Sequence, residues 1–430
     1  MNKAPTLPIL THTAKGEILD RILEAISKKF YKPELLTPLW DAAVVEHRPL
    51  IEAAETPAEF ENAVASLLTI LKTSHFGFFH GSARRASSRA ALSATYLEEE
   101  TEAGKRWVFQ DVHSGGAAAL AGVRPGDILL SVNSEEINPP EHPVFAMGDR
   151  SRVEVLLGDG ERKTVTVEVA QPKGKKLHFI EPTLVEARQL EGGMGYLKVA
   201  MFPGTIGVDV ANRISEGVAQ LGAAERLIID LRGNTGGGIG ALRVMSMLTP
   251  LKIPVGYSPG KKWAGRDLEA SKNSFTRFDS VPATKGSLWL LALRYFPTLV
   301  RKSPVVLETE GLGYHSFHGN IVLLVDRHTA SAAEIIVAFA RENHLATIVG
   351  ESTAGRLLSA TSVKVGYGYR LALPTGAYHT WQGTVLEGTP IAPDVEIRFD
   401  WRQRRSGIDA QLDRAIEVLA ATPHRTTSRG

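Results

Sequence analysis

The 430-residue sequence contains no cysteine, which excludes disulfide bonds, thiolate metal sites and a cysteine nucleophile. It also has almost no excess charge, because 49 Lys and Arg residues oppose 47 Asp and Glu residues for a formal net charge of +2. That balance argues against nucleic acid as a main partner. Apolar residues make up 43% of the chain, yet no run of about 18 consecutive apolar residues occurs, so the sequence predicts no membrane span.

The N-terminal segment lacks the continuous apolar core of a secretory signal. We therefore expect a soluble protein without stable membrane insertion. As numbered it would be cytoplasmic, and it would be periplasmic or secreted if a signal was removed before residue 1. Length and composition are those of a globular chain of two or three domains with a large buried core. The oligomeric state is left open.

The spacing of apolar residues changes along the chain. Helical spacing predominates over residues 1–85, short alternating strands over 86–172, and strands alternating with helices over 180–420. The last pattern is typical of a βαβ sheet. We therefore predict a multidomain α/β protein with these boundaries, an irregular excursion over 257–318 and a disordered polar tail at 421–430.

One serine stands where the strand-like run "IVLLV" gives way to an amphipathic stretch, "HTASAAEIIVAF". Ser331 and Glu334 have the spacing of a capping box at a helix N-terminus. The same position suits a nucleophile, because first-turn N–H groups and the helix dipole favour an alkoxide and the oxyanion that forms beside it. From this stretch alone, capping and catalysis both remain open.

A second candidate is the glycine-rich stretch "RLIIDLRGNTGGGIGALRVM", which begins as a predicted strand. It lacks the Gly-Lys-Ser/Thr ending of a phosphate-binding loop. It also lacks the acidic residue that a dinucleotide site requires about 20 positions later, since no Asp or Glu occurs between Asp230 and Asp267. The remaining interpretation is a loop whose backbone N–H groups approach a developing oxyanion.

Residues 112–133, "VHSGGAAALAGVRPGDILLSVN", resemble the centre of a PDZ domain, with a short helix, a glycine-containing turn and a returning strand. Such domains bind a peptide as an added strand and hold its terminal carboxylate on backbone N–H groups. The resemblance implies a carboxylate-binding loop near Thr95, Tyr96 and Leu97. A PDZ domain of this kind would either tether a substrate by its C-terminus or gate the catalytic cleft.

Five motifs follow one another in order: the PDZ-like segment, "DLRGNTGG", "TASAAE", "GESTAGR" and "LEGTPIAPD". This order resembles the C-terminal processing (tail-specific) serine peptidases, whose relatives include the tricorn core protease. The resemblance covers roughly residues 60–400. It implies an α/β, crotonase-like catalytic core with Ser331 as the nucleophile. It also implies an oxyanion hole formed by N–H groups around Gly236 or Gly237 together with that of Ala332.

The general base is where this chain departs from part of that family. Many members use a lysine 25 positions after the serine, but Arg356 stands there, and arginine does not give up its proton at a working pH. The tricorn-like branch has an adjacent Ser-His pair and a later glutamate, which match Ser74, His75 and Glu387. By this resemblance, His75 takes the proton from Ser331. Ser74 holds the other imidazole nitrogen, and Glu387 accepts from Ser74.

These residues predict a serine endopeptidase that forms an acyl-enzyme with a peptide or protein substrate and needs neither a metal nor an organic cofactor. Arg356 is expected to pair with an acid or to line the substrate cleft. Two rival functions are a decayed protease that serves as a PDZ scaffold, and an esterase or amidase with the same catalytic groups. The complete Ser-His-Ser-Glu set argues against decay, and the PDZ-like segment argues against a small substrate.

Overall fold

A computed structural model of the protein describes residues 9–423 except 82–84, 147–149, 170–181, 205–206, 223, 285, 288–289, 292 and 296–302. Most of the predicted disordered tail, residues 424–430, lies outside the described part of the chain. Among the residues described, no helix combines the length and the apolar character needed to cross a bilayer.

The N-terminal region is helical, as predicted, and consists of α1 (His12–Lys29), α2 (Pro38–Ala53) and α3 (Pro57–Thr69). A capping box begins α3: Thr56 Oγ1 accepts from the Glu59 N–H at 3.1 Å, and the Glu59 carboxylate accepts from the Thr56 N–H. After α3 the chain forms a short strand, β1 (Gly77–His80), that the sequence pattern did not predict.

The second region is rich in β-structure, as expected of a PDZ domain. Its elements are β2 (Arg85–Ser87), α4 (Ser88–Leu92), β3 (Ala94–Thr101), β4 (Gly104–Val112), α5 (Ala117–Leu120), β5 (Ile128–Val132), β6 (Glu135–Glu136), β7 (Val144–Ala146), β8 (Arg150–Leu156) and β9 (Arg162–Glu168). The main sheet has the antiparallel order β3-β4-β5-β8-β9, and β6 pairs with β5. Strand β3 therefore lies at an edge of the sheet.

The third region alternates strands and helices. Its elements are β10 (Val185–Leu190), β11 (Met194–Val199), α6 (Val208–Gln220), β12 (Arg226–Asp230), α7 (Ala241–Met247), β13 (Pro254–Tyr257), α8 (Leu268–Ser271), β14 (Thr276–Phe278), β15 (Val305–Glu308), β16 (Asn320–Val325), α9 (Ala332–Glu342), β17 (Thr347–Gly350), β18 (Leu358–Gly366), β19 (Tyr369–Ala377), β20 (His379–Thr380), β21 (Val395–Glu396), α10 (Trp401–Arg405) and α11 (Ala410–Ala421).

The predicted βαβ sheet is present, with six strands in the order β10-β11-β12-β16-β17-β21. Every pair except β10 and β11 is parallel. Apolar residues of α6, α7 and α9 cover one face and those of α11 the other. All six residues of β16 are buried, as expected of a central parallel strand that is covered on both sides.

Two parts of the core differ from the sequence-based expectation. The stretch 257–318 is not wholly irregular, because β14 and β15 join β13 and β20 in a four-stranded sheet. In addition, β1 pairs with β19 of the β18-β19 hairpin. The helices α1 to α3 pack on this hairpin, so Phe60 of α3 and Tyr369 of β19 belong to one apolar core. The N-terminal helices are thereby fixed to the third region of the chain.

Candidate active site

Two loops leave neighbouring parallel strands at the same edge of the six-stranded sheet. The glycine-rich loop follows β12, and the loop that carries Ser331 follows β16, which pairs with β12. Asp326, directly after β16, is fully buried and accepts from the Gly233 N–H at 3.0 Å. The Ala330 N–H donates to the Asn234 carbonyl oxygen, also at 3.0 Å. The carboxyl edge of such a sheet is the usual place for a site, and these bonds hold the two loops side by side.

Ser331 is the N-cap residue of α9 and has φ 56° and ψ −124°. A positive φ is strained for a serine, and such strain persists only where the surroundings fix the backbone. The Ser331 N–H donates to the Arg356 carbonyl oxygen at 3.1 Å and to Glu334 Oε2 at 3.1 Å. The Glu334 half of the predicted capping box is therefore present, whereas Ser331 Oγ makes no capping bond within the described residues. The serine lies where a helix N-terminus can stabilise negative charge.

Glu334 ties the segment 353–356 to this helix. Its fully buried carboxylate also accepts from Thr353 Oγ1 at 2.6 Å, from the Gly355 N–H at 2.7 Å and from the Arg356 N–H at 2.9 Å. Burial raises the pKa of Glu334, and these donors oppose the rise. The result is that Arg356 and the residue after it are held against Ser331.

The three residues matched to the tricorn-like pattern form one hydrogen-bonded relay. Ser74 Oγ lies 2.6 Å from His75 Nδ1 and donates to Glu387 Oε2 at 2.8 Å. The Ser74 N–H donates to Glu387 Oε1 at 2.7 Å, and the Leu357 N–H donates to Glu387 Oε2 at 3.0 Å. Because the Ser74 hydroxyl gives its proton to the carboxylate, it accepts from Nδ1–H of His75. The neutral imidazole then has an unprotonated Nε2, which is the state a general base requires.

His75 is half-buried and has φ 64°. Burial lowers the pKa of this imidazole, Glu387 opposes that effect, and Arg356 adds to it. In the described part of the chain, no hydrogen bond joins His75 to Ser331. Bonds between base and nucleophile are often long before substrate binds and shorten in the complex. Arg356 and Leu357 connect the Ser331 loop to the relay. The Arg356 carbonyl oxygen accepts from the Ser331 N–H, and the Leu357 N–H donates to Glu387.

The structure distinguishes between the two glycines predicted for the oxyanion hole. The Gly236 N–H donates to Asn234 Oδ1 at 2.8 Å and is not available to a substrate. Within the described residues, the N–H groups of Gly237 and Ala332 have no hydrogen-bond partner. Gly236 serves close packing instead, because a Cβ there would lie 2.6 Å from Ser331 Cβ and its φ is 88°. The candidate oxyanion donors are therefore Gly237 and Ala332.

A cavity of about 910 Å³ opens beside Ser331. Its walls include Gly237 and Ala332 and the apolar side chains of Leu242, Met245, Ile335 and Leu357. Of the described residues that line it, none carries a charge. The space next to the nucleophile is therefore suited to uncharged side chains.

Two predictions about substrate-binding residues need correction. Thr95, Tyr96 and Leu97 do not form a loop: they lie in β3, and their side chains are buried. Thr95 Oγ1 accepts from the Asp111 N–H at 3.2 Å, which is a contact inside the domain. Arg356 makes no ion pair with any residue that the structure describes, and it is not part of the cavity wall. Its exposed side chain acts on the site through its charge.

Sequence reasoning missed Asn234 and Asp326, the residues that hold the two loops together. Asn234 fixes the Gly236 N–H and, through Nδ2, donates to the Val199 carbonyl oxygen at 2.8 Å. Asp326 directly follows the buried run "IVLLV". A polar residue at the carboxyl end of a buried parallel strand was the available signal.

The site combines a parallel α/β core, a serine at a helix N-terminus and a histidine relay. Among the described residues, two N–H groups beside the serine are free. This is the geometry of a serine hydrolase. Residues 193–397 match the model of peptidase family S41, and residues 108–157 match that of the PDZ domain. Residues 193–397 are thus similar to peptidase family S41, and the segment that precedes them is similar to a PDZ domain. Both assignments confirm the prediction from the five motifs.

Individual proteins support the assignment. The chain is 23% identical over 426 residues to tricorn protease homolog 2 of Streptomyces coelicolor, covering 92% of this chain and 32% of that protein. It is 24% identical over 374 residues to the chloroplastic C-terminal processing peptidase of Tetradesmus obliquus, covering 80% and 69%. The chain thus spans about a third of the first relative. The solved photosystem II D1 C-terminal processing protease shares the fold, with a TM-score of 0.55, 16% identity and coverage of 95% and 98%.

Proposed function

We propose that this chain is a serine endopeptidase of the Ser-His-Ser-Glu type, with Ser331 as nucleophile and His75 as general base. The observation that carries the proposal is the relay from His75 through Ser74 to Glu387, which joins residues 313 positions apart. The relay ends beside the segment that binds the Ser331 N–H. Arg356 occupies the position at which other family members have the lysine of a Ser-Lys dyad. Because arginine stays protonated, it cannot be the general base, and we assign that role to a histidine.

The proposed reaction follows from the placement of these groups. Ser331 Oγ attacks the peptide carbonyl carbon while His75 Nε2 takes its proton, and the Gly237 and Ala332 N–H groups donate to the oxyanion. His75 then gives the proton to the departing amine, which leaves an ester to Ser331. A water molecule attacks this acyl-enzyme with His75 as base, and the carboxylic acid product departs as Ser331 is regenerated.

The cavity suggests the kind of bond that is cleaved. Since its described lining carries no charge, a charged side chain on the acyl side of the scissile bond would find no ion-pair partner among those residues. We therefore expect cleavage after uncharged, mainly apolar residues. The substrate is a peptide or protein.

We further propose that the PDZ domain recognises the C-terminus of the substrate by strand addition, and β3 is an edge strand of its sheet. Long peptides with a free and with an amidated C-terminus test this, since amidation removes the carboxylate and leaves the scissile region unchanged. Tethering predicts a higher KM for the amide. Gating predicts a lower kcat. Equal kinetics for the two peptides would contradict both.

A fluorophosphonate probe with mass mapping tests the catalytic assignment. We expect labelling at Ser331 and peptide hydrolysis in the wild type, and loss of both in Ser331→Ala by several powers of ten. Ser352→Ala is the matched control, because Ser352 is an exposed serine outside the cavity wall. Hydrolysis that survives in folded Ser331→Ala would refute the assignment. Hydrolysis of small esters but of no peptide would favour an esterase.

A further inference from the structure

We infer that His328 is a positioning residue that holds the nucleophile loop, residues 326–331, against the PDZ domain. This inference rests on the proposed function. His328 Nε2 lies 2.9 Å from the Tyr96 carbonyl oxygen of β3. Because a carbonyl only accepts, Nε2 carries the proton and donates. The bond joins the edge strand of the PDZ sheet to a residue three positions before the nucleophile.

The neighbouring residue makes a second connection to the same domain. Arg327 Nη2 donates to Glu351 Oε1 at 2.9 Å. The other oxygen of Glu351 accepts from Gln110 Nε2 of β4 at 3.0 Å, and both Glu351 and Gln110 are buried. The nucleophile loop is therefore connected to β3 directly through His328 and to β4 indirectly, through Arg327 and Glu351.

Between His328 and the nucleophile, further hydrogen bonds hold the loop. The His328 N–H and the Thr329 N–H both donate to Asp326 Oδ1 at 2.9 Å, and Thr329 Oγ1 donates to the Leu231 carbonyl oxygen at 3.0 Å. A backbone with the strained φ of Ser331 needs such support. Because misplacement of a reacting group by about 1 Å can reduce a rate by about 10²-fold, the loop's attachment should affect turnover.

The same geometry says which kinetic parameter should change. His328 is not among the described residues that line the cavity beside Ser331, and its Nε2 is bonded to Tyr96, so we expect it to act through the position of Ser331. Its loss should move Ser331 relative to the oxyanion donors and lower kcat, while KM stays nearly constant. A contact that only stabilises the fold would instead lower the melting temperature and leave the kcat of the folded enzyme unchanged.

Two substitutions separate the hydrogen bond from simple packing. His328→Phe keeps a planar ring and removes the donor, and we expect kcat to fall on the order of tenfold with KM within about twofold. His328→Gln keeps an N–H donor and should recover most of the loss. His344→Phe is the matched control, because His344 is exposed at the other end of α9.

The readouts are kcat, KM, the rate of fluorophosphonate labelling and the melting temperature of the full chain. An unchanged kcat in His328→Phe, or an equal fall in His328→Phe and His328→Gln, would overturn the inference while leaving the proposed function intact. A wild-type chain that hydrolyses no peptide and is not labelled would overturn the proposed function and this inference with it. A fall in KM and kcat in proportion would also count against positioning.

Discussion

The relay makes Ser74 the most informative residue to change. Ser74 Oγ bridges His75 Nδ1 and Glu387 Oε2 at 2.6 Å and 2.8 Å, and Ser74→Ala removes both bonds at once. The backbone bond from the Ser74 N–H to Glu387 at 2.7 Å does not depend on the side chain. The variant should therefore fold, with stability lowered by about 1 kcal/mol.

The expected loss of activity follows from the charge that develops on His75. In the ground state the imidazole is neutral, so the bond from Nδ1 is an ordinary one. In the transition state it becomes an imidazolium, and bonds to charged groups contribute about 1.5–3 kcal/mol. Only the part that strengthens in the transition state affects kcat. Ser74→Ala also loses the contact to the Glu387 carboxylate. We therefore expect it to lose about 3 kcal/mol of transition-state stabilisation, which lowers kcat/KM on the order of 10²-fold.

The assay is steady-state hydrolysis of an internally quenched peptide, with the melting temperature measured in parallel. Ser74→Thr retains the hydroxyl and is the control that should keep most of the activity. If folded Ser74→Ala hydrolyses the peptide within about threefold of wild type, the relay has no part in the reaction. The base would then have to be sought elsewhere in the chain.

Two further predictions concern pH. Because burial lowers the pKa of His75, kcat/KM should rise with pH through a midpoint below the usual histidine value of about 6.5. Glu387 raises that pKa and Arg356 lowers it, so Arg356→Gln should move the midpoint up and Glu387→Gln should move it down; shifts in the same direction contradict the site. Burial also lowers the pKa of His113, to about 4, so between pH 6.5 and 4 the unfolded chain binds a proton that the native chain does not. The free energy of unfolding should therefore fall by about 3 kcal/mol as the pH drops through that window, and denaturant titrations of His113→Phe should lose this slope.

The candidate catalytic residues could be predicted from the sequence because the reaction restricts the residue types at each motif. The contacts predicted among Ser74, His75 and Glu387 are present in the structure, and their catalytic roles stay predictions. The βαβ core was also predictable, since buried parallel strands such as β16 appear as continuous apolar runs.

Features that depend on contacts between distant residues could not be predicted in this way. The pairing of β1 with β19 leaves no local pattern in "GFFH". The choice between Gly236 and Gly237 depends on the Asn234 side chain, which takes one N–H and leaves the other free. The position of Thr95 in a strand reflects its pairing across the PDZ sheet with Asp111.

The pairing of β1 with β19 also bears on when the enzyme can first act. It places the proposed base, near the start of the chain, beside groups that are synthesised much later. A chain still being translated holds Ser74 and His75 early but has no partner for them until Glu387 has emerged from the ribosome. Domains synthesised first generally fold first, so the PDZ domain can form while the chain is still catalytically silent. On the proposed mechanism, hydrolysis would therefore begin only after the chain has been synthesised past Glu387.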